Sequence, residues 1–449
     1  MINKNRRTLR LLLLSAGLIV SSVSPAQQIF TLNQCLDTAL KNSLQIQSDQ
    51  YGLEKTKADV GQAYSSLLPN ISASGYYQYQ FKVPVQMIPA DLFGGTPGTY
   101  QAAQFSVPQT KSGSLDISQT IFNASSLIAL KAAKVSLNIN QLQIQSSKED
   151  LVYNVSATYY NIQTILKQIE LTTKNLSNTE ELLQSTSDQY KSGLATETDV
   201  DRLFVSRDNT KADLETASNN LDKEYNVLKL FMNVPLDTKL TVSEYEDNQP
   251  LISPEPPGLD IMKKTDYLQV LENRHLAEIQ RKNIKAGYLP SLTLSGNYGI
   301  SAFYSNANPF NNLNDKWYSS SSFKVALSIP IFDGFSKKYQ IKNKSIAIKQ
   351  YDIQAEQIKQ QSLKNVANAN ADLKTNILTL QAKKRNLNLA QKVLDDIKLQ
   401  YQNGIAKITD VINSQSELYT AQNNYIKAII NIKQAELELK KAQGTLLNQ

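Results

Sequence analysis

Turn-forming residues are scarce over long parts of this chain. Its 449 residues include only 16 Gly and 14 Pro. From 114 to 234 the single Gly is Gly193 and there is no Pro, and beyond 335 there are only Gly404 and Gly444. Because Gly and Pro mark turns, an α/β enzyme with a loop every ten to twenty residues is excluded. These stretches are predicted to be very long helices.

The sequence has one Cys and one His, which excludes a disulfide framework and a Cys/His metal cluster within one chain. We expect no catalytic residue, metal or cofactor. The formal charge falls from +7 to +3 when the four basic residues among the first 26 are removed. The remaining Lys residues alternate with acids and amides, which is typical of a solvated helix and not of a nucleic-acid surface.

The first 26 residues have the pattern of an export signal. A basic segment is followed by the ten-residue apolar run Leu11 to Val20 and by the small residues of Ser24-Pro25-Ala26. This pattern predicts a secretory signal peptide over 1–26, cleaved after Ala26. A membrane anchor is the alternative, but the run is shorter than the ~20 residues of a spanning helix.

The sequence contains an internal repeat. Three short motifs recur in the same order, at 68–77 and 289–298, at 119–123 and 329–334, and at 189–200 and 400–411. We interpret this as a tandem duplication, with a first repeat over 27–247, a linker over 248–258 and a second repeat over 259–449. Each repeat reads as helix, strand, loop, strand and a long helical hairpin. The first helix is predicted over about 31–66 and its counterpart over about 259–287, and the loop between the first two strands over about 83–111.

Four alternating segments are predicted strands, at 70–82, 112–122, 290–302 and 321–332. Alternating segments of ~10 residues with aromatics near their ends are typical of a transmembrane β-barrel. A soluble sheet with one solvated face would alternate too, but four such strands in a duplicated, exported chain favour the barrel. Because the smallest such barrels have about eight strands, copies must associate: two would give eight strands and three would give twelve.

The long helices carry an apolar residue at every seventh position. One series runs from Val155 to Tyr190 and its counterpart from Val366 to Tyr401, and a third runs from Val411 to Leu446 after the second turn. Such a period predicts left-handed coiled coils. A helix over 124–190 would be ~100 Å long, and each hairpin is predicted to turn at a glycine, Gly193 or Gly404.

Taken together, these residues resemble the TolC family of outer-membrane efflux proteins. The resemblance rests on the duplication, on Leu-Pro before the first and third strands, on Ile-Phe-Asn/Asp after the second and fourth, and on Tyr-x-x-Gly-x-x-x-x-x-Asp-Val at both turns. It implies a mixed α/β membrane protein that forms a homotrimer. The trimer would have a twelve-stranded transmembrane β-barrel in outer-membrane lipid, four strands per chain, continuous with an antiparallel coiled-coil α-barrel in the periplasm.

The resemblance also implies a function. The chain would be a passive export channel of a tripartite efflux or type I secretion system, working with a periplasmic adaptor (membrane fusion) protein and an inner-membrane transporter. An exported coiled-coil scaffold or adhesin without a pore is the alternative. A scaffold has no need of four alternating strands placed symmetrically in two repeats.

The resemblance places a gate at the hairpin turns. The residues that match or replace the family's mouth residues are Asp410, Tyr401, Asp199, Thr198 and Asn413. Asn413 stands where the family pattern has a second aspartate. The ring of carboxylates that three chains would place around the mouth should therefore carry less negative charge here. We hypothesise a closed mouth held by Tyr401 bonding to Asp199 and by packing around Val411. The alternative is that Asp199 and Asp410 only cap the returning helices.

Overall fold

The protein was analysed as a computed structural model that describes residues 28–244, 258–305 and 316–447. The predicted signal peptide, most of the predicted linker and part of the loop before the fourth strand lie outside these ranges. The chain forms two compact units. The helical unit comprises Met1–Gln47, Ser147–Leu259 and Leu363–Gln449, and the sheet unit comprises Ser48–Ser146 and Asp260–Ser362. Each unit therefore takes segments from both repeats.

In chain order the helices and strands are β1 (Gln28–Phe30), α1 (Leu32–Asn42), α2 (Leu44–Ser65), β2 (Asn70–Tyr79), β3 (Gln86–Pro89), β4 (Tyr100–Ala103), β5 (Gln109–Phe122), α3 (Ala124–Lys191), α4 (Glu197–Met232), β6 (Leu240–Val242), α5 (Thr265–Ala286), β7 (Ser291–Tyr304), β8 (Tyr318–Ser328), α6 (Ser336–Gln402) and α7 (Ile408–Gln443). Short 3-10 turns lie at Ala90–Phe93 and Ile261–Lys263. None of the helices in the described ranges is both long and apolar enough to cross a membrane.

The sheet unit contains a four-stranded antiparallel sheet in the order β2-β5-β7-β8. The strands lie where the alternation predicts them, with shifted ends. β5 begins at Gln109, directly after Pro108, and β8 ends at Ser328, two residues before Pro330. Proline has no N–H to donate to a ladder, so it bounds a strand. β2 and β8 are the edge strands, each with one neighbour among the described residues.

The Ile-Phe-Asn/Asp motif is a helix start. The Asn123 side chain accepts a hydrogen bond from the Ser126 N–H at 3.2 Å, at the beginning of α3. Asp333 does the same for the Lys337 N–H at 3.0 Å, at the beginning of α6. A side-chain oxygen at this position satisfies a backbone donor that the first helical turn leaves free. The motif therefore marks the change from strand to long helix in both repeats.

The segment between β2 and β5 is more ordered than the loop predicted over 83–111. β3 and β4 pair as a separate antiparallel hairpin. The 3-10 turn Ala90–Phe93 ends at Gly94, which has φ 77°. Glycine adopts this left-handed conformation without steric cost, so the Gly-rich composition shapes a hairpin here.

In the helical unit many side chains of the seven-residue seams are buried. Side chains of the predicted series that are less than 10% exposed are Val155, Ile162, Leu183, Val366, Leu373, Leu394, Val411, Leu418, Tyr425, Ile432, Leu439 and Leu446. A seam of every seventh residue keeps two helices in contact along their length. α6 and α7 share one such cluster around Leu373 and Ile432. The burial agrees with the predicted coiled coils.

A second core of the helical unit forms around α1. Cys35 is fully buried there, and burial raises the pKa of its thiol to about 12. β1 pairs in parallel with β6 beside it, a two-stranded sheet that the sequence analysis did not predict. The Tyr159 and Ser243 hydroxyls bond at 2.7 Å next to this pair.

The first helix is broken where the sequence analysis expected one helix over 31–66. Ser43 leaves the helical conformation between α1 and α2, with φ −56° and ψ 120°, and its side chain accepts a hydrogen bond from the Ile46 N–H at 3.3 Å. Serine competes with helical hydrogen bonds in this way. The expectation of a continuous helix is therefore wrong at this position.

Two leucines near the end of α4 test the α1 core. Leu228 is fully buried, whereas Leu230 on the same helix is 72% exposed. We expect Leu228→Ala to lower the free energy of unfolding of the helical unit by about 2–5 kcal/mol, because it leaves a cavity. Leu230→Ala serves as the control and should change it by about 0.5 kcal/mol or less. Denaturant unfolding followed by circular dichroism measures both, and equal losses would contradict the assigned core.

Candidate functional site

The two helical hairpins turn at the predicted glycines. Gly193 has φ 77° and Gly404 has φ 72°. In the first turn the Leu194 N–H donates to the Gln189 carbonyl at 2.8 Å, and the equivalent bond in the second turn is 2.9 Å. A Cβ at either glycine would meet no atom within 4 Å. Glycine is therefore needed at both turns because the backbone that ends each helix is left-handed, and not because a side chain would lack space.

Asp199 and Asp410 cap the helices that follow the turns. Asp199 Oδ2 accepts from the Thr196 N–H at 3.2 Å and from the Thr196 hydroxyl at 2.7 Å, and the Asp199 N–H donates to Thr196 Oγ1 at 3.2 Å. Asp410 Oδ2 accepts from the Lys407 N–H at 2.9 Å. Both carboxylates therefore make the hydrogen bonds of a helix cap. Each still brings its negative charge to the turn.

Tyr401 connects the second hairpin to the first. Its hydroxyl donates to Gln189 Oε1 at 2.9 Å and lies 3.4 Å from Thr186 Oγ1. The hypothesised bond from Tyr401 to Asp199 is not made within the chain, because the Asp199 carboxylate is taken up by Thr196. Sequence reasoning missed Thr186 and Gln189. Their spacing of three on α3 places them on one helix face, which was the available signal.

The equivalent tyrosines of the two repeats differ in their surroundings. Tyr401 is half-buried, whereas Tyr190 is 44% exposed and makes no side-chain hydrogen bond to the described residues. On the same helix the Lys191 ammonium donates to Asp188 at 2.9 Å, and this hydrogen bond lowers the pKa of the Asp188 carboxyl. The duplication is therefore symmetric in sequence but not in contacts.

Packing around Val411 joins all four long helices near the turns. Val411 and Leu203 are fully buried. The cluster consists of Leu183 of α3, Val200 and Leu203 of α4, Leu394 of α6, and Ile408, Val411 and Leu418 of α7. Tyr401 packs against it with its ring. The predicted packing around Val411 is present, and it lies beside the polar contacts that Tyr401 makes to Gln189 and Thr186.

A groove of about 660 Å³ lies beside this cluster, between α4 and α7. Thr198 and Asn413 both line the groove. These two predicted site residues therefore lie on the groove surface and not in the hairpin turns. Tyr419 Oη donates to Asp213 Oδ2 at 2.9 Å in the groove. Burial is the main cause that raises the pKa of Tyr419, so its hydroxyl remains a donor at neutral pH. Within the described ranges no group of three His, Cys, Asp or Glu residues is placed to hold a metal.

A glycine substitution tests whether backbone geometry holds the second turn. Gly404→Ala forces a Cβ into the left-handed conformation, which costs about 1–2 kcal/mol. Gly404→Asn should cost less, because asparagine tolerates this conformation and Asn233 adopts φ 49° at the end of α4. We expect Ala to lower the unfolding midpoint more than Asn, measured by circular dichroism. Equal midpoints for both variants would refute this account of the turn.

Comparison with known proteins agrees with this architecture. The sequence model of the family described as outer membrane efflux protein matches residues 35–234 and 269–445. Outer membrane protein TolC of Escherichia coli is 24% identical over 452 residues, covering 98% of this chain and 87% of TolC. The crystal structure of the outer membrane protein VceC from Vibrio cholerae matches with a TM-score of 0.72 and 17% identity, over 92% of this chain and 96% of VceC.

The open state of the Neisseria gonorrhoeae MtrE outer membrane channel matches with a TM-score of 0.74 and 18% identity, over 92% of this chain and 89% of MtrE. These similarities confirm the resemblance inferred from the sequence, together with the fold it implies and an outer-membrane location. The family match covers most of the chain and both repeats. The chain therefore belongs to the outer membrane efflux protein family.

Proposed function

We propose that this efflux channel is the passive exit duct of a tripartite efflux or type I secretion system. It would receive substrates from an inner-membrane transporter through a periplasmic adaptor. The observation that carries the proposal is the four-stranded sheet. It has an apolar face and two edges that pair with no further strand of the described residues. A sheet of this kind is completed by further copies of itself.

Three copies would close the barrel. Edge strands present unpaired N–H and C=O groups, and no spanning structure in lipid leaves such groups unsatisfied. Pairing β2 of one copy with β8 of the next would satisfy both edges and give twelve strands. The apolar face would then contact lipid: Ile71, Phe323, Val325 and Leu327 are each more than half exposed in the single chain.

We place the gate at the hairpin turns. Three copies of exposed Asp410 around one axis would repel each other and attract cations. Tyr401 holds the second hairpin against the first through Gln189 and Thr186. A hydrogen bond of this kind contributes only about 0.5–1.5 kcal/mol, so an adaptor that binds the open arrangement could release it. The polar groove between α4 and α7 is the surface we assign to the adaptor.

The scaffold without a pore is the second candidate, and it makes a different prediction for assembly. The channel proposal expects a detergent-purified trimer that conducts ions in a planar bilayer. A stable monomer that keeps its β-signal would exclude the closed barrel. Recovery as a soluble periplasmic protein would favour the scaffold.

Two tyrosine variants test the gate. Tyr401→Phe removes the donor to Gln189 and should raise the fraction of open time severalfold, as a loss of about 1 kcal/mol implies. Tyr190→Phe is the matched control and should leave gating unchanged, because Tyr190 makes no side-chain hydrogen bond to the described residues. Single-channel recording measures the open fraction, and an unchanged value for Tyr401→Phe would place the gate elsewhere.

A charge variant tests the mouth separately. Asp410→Ala should weaken the block of the channel by divalent or trivalent cations added on the periplasmic side. Asp410→Asn keeps the size of the side chain and should weaken the block to the same extent. Block that persists in both variants would show that Asp410 only caps α7.

The connections of the sheet support a proposed orientation, because one end of every strand leads to a helix. The opposite ends carry the β3–β4 segment, which we expect at the cell exterior. An epitope tag within residues 90–105 should bind antibody on intact cells, and a tag inserted after Gly193 should not. A 90–105 tag that is reached only after the envelope is broken would reverse the orientation.

A further inference from the structure

The two faces of the β2-β5-β7-β8 sheet differ sharply in chemistry. Paired residues on one face include Ser72 with Asp116, Ser74 with Ser114, and Ser112 with Ser301. The other face pairs Ile71 with Ile117, and its β8 positions hold Phe323, Val325 and Leu327. In an outer-membrane barrel the polar face lines the lumen and the apolar face meets lipid.

Ionisable groups are rare in these four strands. Asp116 is their only acid, and Lys111 and Lys324 are their only bases. Asp116 and Lys324 lie on the polar face, because Asp116 is level with Asn297 and Lys324 is level with Ser295. Lys111 lies on the opposite face, near the Tyr304 ring. A charge within a membrane-spanning segment is expensive, so its presence points to a role.

The Asp116 carboxylate is held in place by neutral donors. Ser114 Oγ donates to Oδ2 at 2.8 Å and Asn297 Nδ2 donates to Oδ1 at 2.6 Å. Ser74 and Ser114 are in turn 2.9 Å apart through their hydroxyls. Among the ion pairs of the described residues, none includes Asp116 or Lys324. The carboxylate is thus oriented without being neutralised.

The two charges lie at different depths. Lys324 is one row closer to the strand ends that join the helices, about 7 Å along the strand, and two strands away, about 9–10 Å across the sheet. This separation exceeds the Debye length of ~8 Å at physiological salt. Each group therefore acts on passing ions as a separate charge.

We propose that Asp116 and Lys324 set the ion selectivity of the barrel lumen as two stacked rings of opposite charge. The proposal rests on the trimeric channel proposed above. Three Asp116 carboxylates would form the outer ring and three Lys324 ammonium groups the inner one. Rings of charged side chains are a general means of ion selection in pores. These rings are independent of the charges at the hairpin turns.

Reversal potentials across a bilayer with a KCl gradient test this inference. Asp116→Asn should lower the ratio of K⁺ to Cl⁻ permeability about two- to fivefold, and Lys324→Gln should raise it by a similar factor, as expected for unit charges acting across several Å of water. Lys111→Gln is the matched control on the lipid face and should leave the ratio unchanged. Unchanged ratios for Asp116→Asn and Lys324→Gln, with normal conductance, would overturn the assignment.

A chemical variant separates the effect of charge from any effect of the substitution on folding, because the same assembled channel is compared with two reagents. Asp116→Cys is reacted in the assembled channel with a negatively or a positively charged methanethiosulfonate, while buried Cys35 serves as the unreactive background. The negative reagent should restore the wild-type ratio and the positive reagent should lower it further. Identical ratios with both reagents would refute the role of Asp116. Absence of any conductance in the wild-type protein would instead refute the channel itself.

Discussion

Continuous contact along the seven-residue seams is the constraint on which the helical unit depends. Each seam residue is buried only while its helix keeps a regular path beside its neighbours. A break inside α3 or α6 would rotate every later apolar residue away from the neighbouring helix that it contacts. This explains why Gly and Pro are confined to the ends of these helices. It also explains why two left-handed glycines suffice to reverse both hairpins.

Local sequence signals predicted most of the fold, because its two periodicities are strong. The period of seven identified the long helices, and the period of two located all four strands, with prolines displacing their ends. The break at Ser43 and the β1–β6 pair were missed for physical reasons. The break at Ser43 depends on tertiary contacts, because a single serine cap does not by itself outweigh the helix propensity of its neighbours. The strands β1 and β6 have three residues each, which is too short to show an alternating pattern.

At the candidate site the sequence located the residues but not all of their partners. The sequence identified the residues whose geometry is set by neighbours in the chain, namely Gly193, Gly404, Asp199 and Asp410. The partner of Tyr401 lies on another helix and depends on the relative rotation of α3 and α6 about their axes. A one-chain sequence carries no record of that rotation. The matched motifs of the two repeats likewise do not reveal that Tyr401 and Tyr190 have different surroundings.

The β1–β6 pair has a consequence for the timing of folding during export. Residues 28–30 bond in parallel to residues 240–242, so the first strand to emerge has no partner until the whole first hairpin has followed it. Closing so long a loop carries an entropic cost, and non-local pairing of this kind forms slowly. A chain exported from its N-terminus would therefore keep residues 28–30 unpaired until residues 240–242 are available.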